Sequence, residues 1–139
     1  MYRRILIATD GSPLSRKAID EGVALARSLG ASVVGFHARE PAMVIPEKTE
    51  KMMQKHAIDA ARKYLATIEA VAKKAGVAFK GVQIVDASPA DSIVRVAKKE
   101  KCELVVMASH GRRGLSRLLL GSETNHVLTR SRMPVLVVR

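Results

Sequence analysis

The chain has 139 residues, of which 47% are apolar, 27% charged and only 3% aromatic. It is long enough for one domain built on an aliphatic core and too apolar for a disordered polymer. No apolar run approaches the roughly 18 residues a membrane span needs, so the chain is read as having no membrane segment. The net charge of +11 directs attention to anionic partners.

Arg4–Thr9 (RILIAT) is a short apolar run that reads as a first strand, not as a secretory leader. Ser12-Pro13 follows as a helix start, with Ser as the cap and Pro at the first helical position, where a missing N–H is harmless. Leu14, Ala18, Gly22, Leu25, Ala26 and Leu29 recur at helical spacing, and Gly30 ends the helix. Ser32–Arg39 is a second strand, and Glu40–Lys48, with Pro41 and Pro46, is a loop. From Thr49 to Ala75 a long helix places Met53, Ala57, Ala60, Ala61, Tyr64, Leu65, Ile68, Val71 and Ala72 on one broad inner face, closed by Gly76. Ala78–Val85 is a third strand with an edge character, because Lys80 and Gln83 interrupt it. Ser88-Pro89 repeats the helix-start device, with Asp91 completing a variant capping box. That short helix turns Ile93, Val96 and Ala97 inward. Cys102, the only cysteine, excludes an internal disulfide and reads as a small buried residue; the cytoplasm is the expected compartment. Glu103–Ala108 is a fourth strand, Gly121–Arg130 a helix and Pro134–Val138 a last strand.

Strand and helix therefore alternate, which predicts an α/β fold: a five-stranded parallel sheet, doubly wound, with helices on both faces. Ligands of such sheets lie outside the carboxyl ends of the strands, where strand order reverses. Strand 1 ends Ala8-Thr9-Asp10-Gly11 and strand 4 ends Ala108-Ser109-His110-Gly111. Asp10 admits two readings: a turn or cap residue, or a carboxylate that meets a ribose hydroxyl or a phosphate-bound metal ion. Beyond strand 4, Arg112, Arg113 and Arg117 precede Gly121-Ser122 at a helix start, where unpaired N–H groups and the helix dipole favour an anion. Residues 111–139 carry six arginines, no lysine and one acid, Glu123. The stretch lacks both standard nucleotide fingerprints, G-x-x-x-x-G-K-[ST] and G-x-G-x-x-G. The alternative is an ordinary cap beside solvated arginines. His37, His56, His110 and His126 are not spaced as metal ligands, and no Ser-His-Asp order with a nucleophile elbow appears.

At these residues the chain resembles the universal stress protein (UspA-like) family. The resemblance spans nearly the whole length and rests on RILIATDGS, the strand-helix order, and MASHGRRGLSRLLLGS followed by MPVLVVR. The ATP-binding branch carries Gly, two residues, Gly, nine residues, then Gly and Ser or Thr. Gly111 and Gly121-Ser122 match; Ala108 replaces the first glycine, and Glu123 stands where an apolar residue is commoner.

The resemblance implies an adenine nucleotide alpha hydrolase-like fold with strand order 3-2-1-4-5. It implies binding of ATP, or of AMP or ADP, with Mg2+ accompanying the nucleotide and little or no turnover beyond slow hydrolysis or autophosphorylation. Ala8, Thr9 and Asp10 would face the ribose and the phosphate-metal region, and Ala38 the adenine edge through its backbone. Met107, Ala108, Gly111 and Arg112 would line the nucleotide from strand 4, and Gly121, Ser122, Glu123 and Thr124 from the last helix. It also implies a homodimer through Pro134–Val138. The competing reading is a non-nucleotide dimeric module that acts through protein partners. Nucleic acid is disfavoured, since two Phe, two Tyr and no Trp leave few stacking platforms.

Overall fold

Two Ser-Pro pairs each start a helix, and both work as local chemistry requires. In the computed structural model, which describes residues 1–41, 46–111 and 119–139, helix α1 is Pro13–Leu29 and α3 is Pro89–Lys99. Ser12 accepts the Ser15 N–H and Ser88 the Asp91 N–H, in each case through the side-chain oxygen. The reciprocal half of the expected box at α3 is absent: Asp86, not Asp91, takes the Ser88 N–H, at 2.8 Å. Gly30 closes α1 in the left-handed conformation, φ 65°.

The strands are β1 (Arg4–Ala8), β2 (Ser32–Arg39), β3 (Phe79–Val85), β4 (Leu104–Ala108) and β5 (Val135–Val138). All pairs are parallel and the order is β3-β2-β1-β4-β5. Ile5 pairs with Val33 on one side and Leu104 on the other, so β1 lies at the centre of the sheet. Its side chains alternate between faces. Ile5 and Ile7 pack with Ile19, Val23, Val33 and Ile68 under α1 and α2. Leu6 packs with Val34, Phe36, Ile93, Val105 and Val127 under α3 and α4. Burying each such side chain contributes about 1.5–3 kcal/mol.

Helix α2 runs Glu47–Lys74 and α4 runs Ser122–Arg130. The expected inner face of α2 holds only in its second half. Ala61, Ile68 and Ala72 are buried, whereas Met52 and Met53 are 59% and 54% exposed. The reason is length. A helix of 28 residues spans about 42 Å, while the eight-residue strand β2 spans only about 26 Å. The first turns of α2 therefore pass beyond the sheet they would need to cover. No helix among the described residues is long and apolar enough to cross a membrane.

Candidate functional site

Strand order reverses between β1 and β4, and the carboxyl ends of these two strands meet. A methyl group added at Gly111 would lie 2.2 Å from Oδ2 of Asp10, so the carboxylate at the end of β1 rests directly against the backbone that leaves β4. The pairing expected from the two strand-end sequences is present.

The β1–α1 turn is satisfied from within. Asp10 Oδ1 accepts the Ser12 N–H at 2.9 Å, and Thr9 Oγ1 accepts the Gly11 N–H at 3.2 Å. Thr9 Oγ1 also contacts Ser15 Oγ at 3.1 Å, and the Thr9 N–H donates to Phe36 O. The turn reading of Asp10 is thus observed: one oxygen serves the turn, and the other faces the loop after β4. The Gly11 and Ser12 amides of this turn are therefore already taken. Two aromatic groups that the sequence analysis did not place here complete the wall. The Tyr64 ring fills the space where a Cβ of Gly11 would sit, 2.2 Å from Cε1. His37 Nδ1 hydrogen-bonds Thr9 O at 2.7 Å, and its ring meets Tyr64 edge-on with centroids 5.0 Å apart. The usable signal was that Tyr64 is the one tyrosine on the inward face of the long helix.

The β4–α4 side is different. The start of α4 has Gly121 as its cap residue and no side-chain cap. The Gly121 N–H donates to Ser109 O at 2.7 Å, so that one amide is consumed by the protein. A methyl group at Gly121 would come within 3.1 Å of His110 Cα and 3.3 Å of Ser109 O. Thr124 is buried and donates its hydroxyl to Ala108 O at 2.8 Å, which bolts the first turn of α4 to the end of β4. Ser122 is exposed. Met107 and Ala108 are buried, Met107 on the α3/α4 face and Ala108 on the α1/α2 face. Ala8 is half-buried at the end of β1, and Ala38 sits one residue before the end of β2, against the α3/α4 cluster. Arg112, Arg113 and Arg117 lie outside the described residues. Leu119 and Leu120 are 73% and 41% exposed.

Glu123 does not stand over the crevice. Its Oε2 accepts the Ala90 N–H at 2.7 Å, at the first turn of α3. Beside it, Arg130 of α4 pairs with Asp91 of α3 and holds that carboxyl below its ordinary range, with help from the Ser88 hydroxyl. No cluster of three or more His, Cys, Asp or Glu suited to a metal ion occurs among the described residues. Cys102 is buried, and burial pushes its thiol up to about 11, away from the thiolate form that nucleophilic cysteines use.

The sequence model of the Universal stress protein family matches residues 1–139. The chain belongs to the universal stress protein family. Universal stress protein YxiE of Bacillus subtilis is 34% identical over the full length of both chains. Among solved structures, that of protein MJ0577 of Methanocaldococcus jannaschii superposes with a TM-score of 0.85 at 28% identity, covering 99% of this chain and 96% of that one. A universal stress protein solved in complex with cAMP superposes at 0.77 with 26% identity, covering 99% and 97%. The universal stress protein fold, a Rossmann-like five-stranded parallel sheet, is the one described above.

Proposed function

We propose that this universal stress protein binds an adenine nucleotide in the crevice between the ends of β1 and β4 and acts as a regulatory module with little or no turnover. The observation that carries the reading is the contrast between the two loops that meet there. The β1–α1 turn has its amides satisfied and presents the Asp10 carboxylate, while α4 begins without a side-chain cap. A ligand suited to both has hydroxyls at one end and phosphate oxygens at the other. Asp10, with Ala8 and Thr9, would meet the ribose, and Ala38 the adenine edge. Ala108 and Gly111 would line the phosphates from the end of β4, and Gly121 and Ser122 from the start of α4, with Met107, Arg112 and Thr124 counted among the residues around the nucleotide. The cAMP complex of the similar protein supports an adenine ligand. ATP with Mg2+ is the form we assign, with AMP and ADP as alternatives.

The test is calorimetric titration with ATP and Mg2+. Wild type is expected to bind. Gly121→Val, whose side chain would press on His110 and the Ser109 carbonyl, is expected to lose binding while keeping its circular dichroism spectrum. Absence of heat with wild type at about 1 mM nucleotide, the weak end of measurable affinity, would overturn the reading in favour of a module that acts through protein partners. We further propose a cytoplasmic homodimer that pairs the β5 edges, where Leu136 is 38% exposed and β5 is the outermost strand on its side of the sheet among the described residues.

A further inference from the structure

Two helix starts lie side by side on one face of the sheet, and they are treated oppositely. The start of α3 is saturated: Ser88 Oγ takes the Asp91 N–H, Glu123 Oε2 takes the Ala90 N–H, and Asp91 adds its own charge in the first turn. The start of α4 has a glycine cap and no side-chain cap. The carboxylate that the sequence places at the second position of α4 is delivered to the neighbouring helix across 33 residues of chain. That arrangement has two effects on α4. It ties the first turn of α4 to α3, beside the second tie that Thr124 makes to Ala108 O. It also directs a full negative charge towards donors other than those of α4, which leaves the positive end of the α4 dipole without an acid of its own hydrogen-bonded to it.

We propose that Glu123 is the positioning residue of the anion site: by capping α3 it fixes the first turn of α4 in the orientation that receives phosphate. This rests on the nucleotide reading for its ligand but not for its geometry. Two substitutions separate the carboxylate's hydrogen bond from its charge. Glu123→Gln keeps an acceptor for the Ala90 N–H, and Glu123→Ala removes it.

Hydrogen exchange on the protein without nucleotide reads the tether alone. The Ala90 amide, and the Gly121 amide that donates to Ser109 O at the start of α4, are expected to exchange about tenfold faster in Glu123→Ala and near the wild-type rate in Glu123→Gln. Calorimetry with ATP and Mg2+, and separately with AMP, reads the consequence. Glu123→Ala is expected to bind both about tenfold more weakly, with Glu123→Gln restoring wild-type affinity. Unchanged exchange at Ala90 in Glu123→Ala would overturn the tether. Tighter ATP binding by both variants would overturn positioning and show instead that the carboxylate repels the phosphates. If wild type binds neither nucleotide, the nucleotide reading fails, and the exchange experiment still decides whether Glu123 holds the two helices together.

Discussion

Gly11 shows how a single missing Cβ shapes the candidate site. Its φ is +78°, and a side chain there would overlap the Tyr64 ring, 2.2 Å from the nearest ring atom. Gly11→Ala therefore combines left-handed strain with overpacking, at a cost of about 2–4 kcal/mol. We expect thermal denaturation to show a Tm lower by roughly 10 °C. Gly111→Ala is a different kind of change, because the obstructing group is the movable Asp10 carboxylate. It should displace that side chain with little loss of Tm and weaken nucleotide binding; titration of the variant checks this. At this scale the sequence was legible where the chemistry is local. Ser12-Pro13 and Ser88-Pro89 announce their helices because a cap acts three residues away. The destination of Glu123 was not legible, since its partner is an amide 33 residues distant and no neighbouring residue encodes it. Nor did any spacing rule place Tyr64 against Gly11.

Among the elements, α2 divides into a packed half and an overhanging half. Ile68→Ala, in the packed half, should lower stability by about 3 kcal/mol. Met53→Ala, in the overhang, should change it by less than about 0.5 kcal/mol; urea unfolding of the two variants checks the contrast. Helical periodicity gave the face of α2 correctly but cannot say where the sheet beneath it stops. The entry to α3 carries the acid dependence. Asp86 is held below its ordinary value of 3.8 by the Ser88 amide and then by Arg95, and Asp91 by Arg130. Elsewhere Glu100 is lowered from 4.5 by Lys80, and Glu103 by the Arg3 amide. Lowered folded-state values mean that the unfolded chain binds more protons, so stability rises with pH through this range. The contribution of these groups is complete above about pH 4.5 and is lost as pH falls through and below 3.8. Urea midpoints measured from pH 6 down to about pH 3 should fall, and the fall should be shallower in Asp86→Asn and Asp91→Asn.

For the whole molecule, the sheet separates two apolar clusters and gathers the candidate site along one of its ends. Alternation of helix and strand patterns was enough to predict the parallel sheet, because buried parallel strands leave continuous apolar runs that few other folds produce. Which strand flanks which is not encoded in those runs; the order β3-β2-β1-β4-β5 came from resemblance. The outer strand β5 is the face on which assembly can be tested. If two copies pair there, Leu136→Lys should convert the dimer to monomer in sedimentation velocity, since a charged side chain on a sheet edge opposes pairing.

The hydrogen bond between His37 and the Thr9 carbonyl has one more consequence. A carbonyl oxygen can only receive a hydrogen, so in the neutral imidazole the hydrogen must reside on Nδ1. The ring is thereby locked into the rarer of its two tautomers, with Nε2 left as a lone-pair site that can accept from a hydroxyl or an amino group. Nitrogen-15 shifts of the His37 ring should report that tautomer directly.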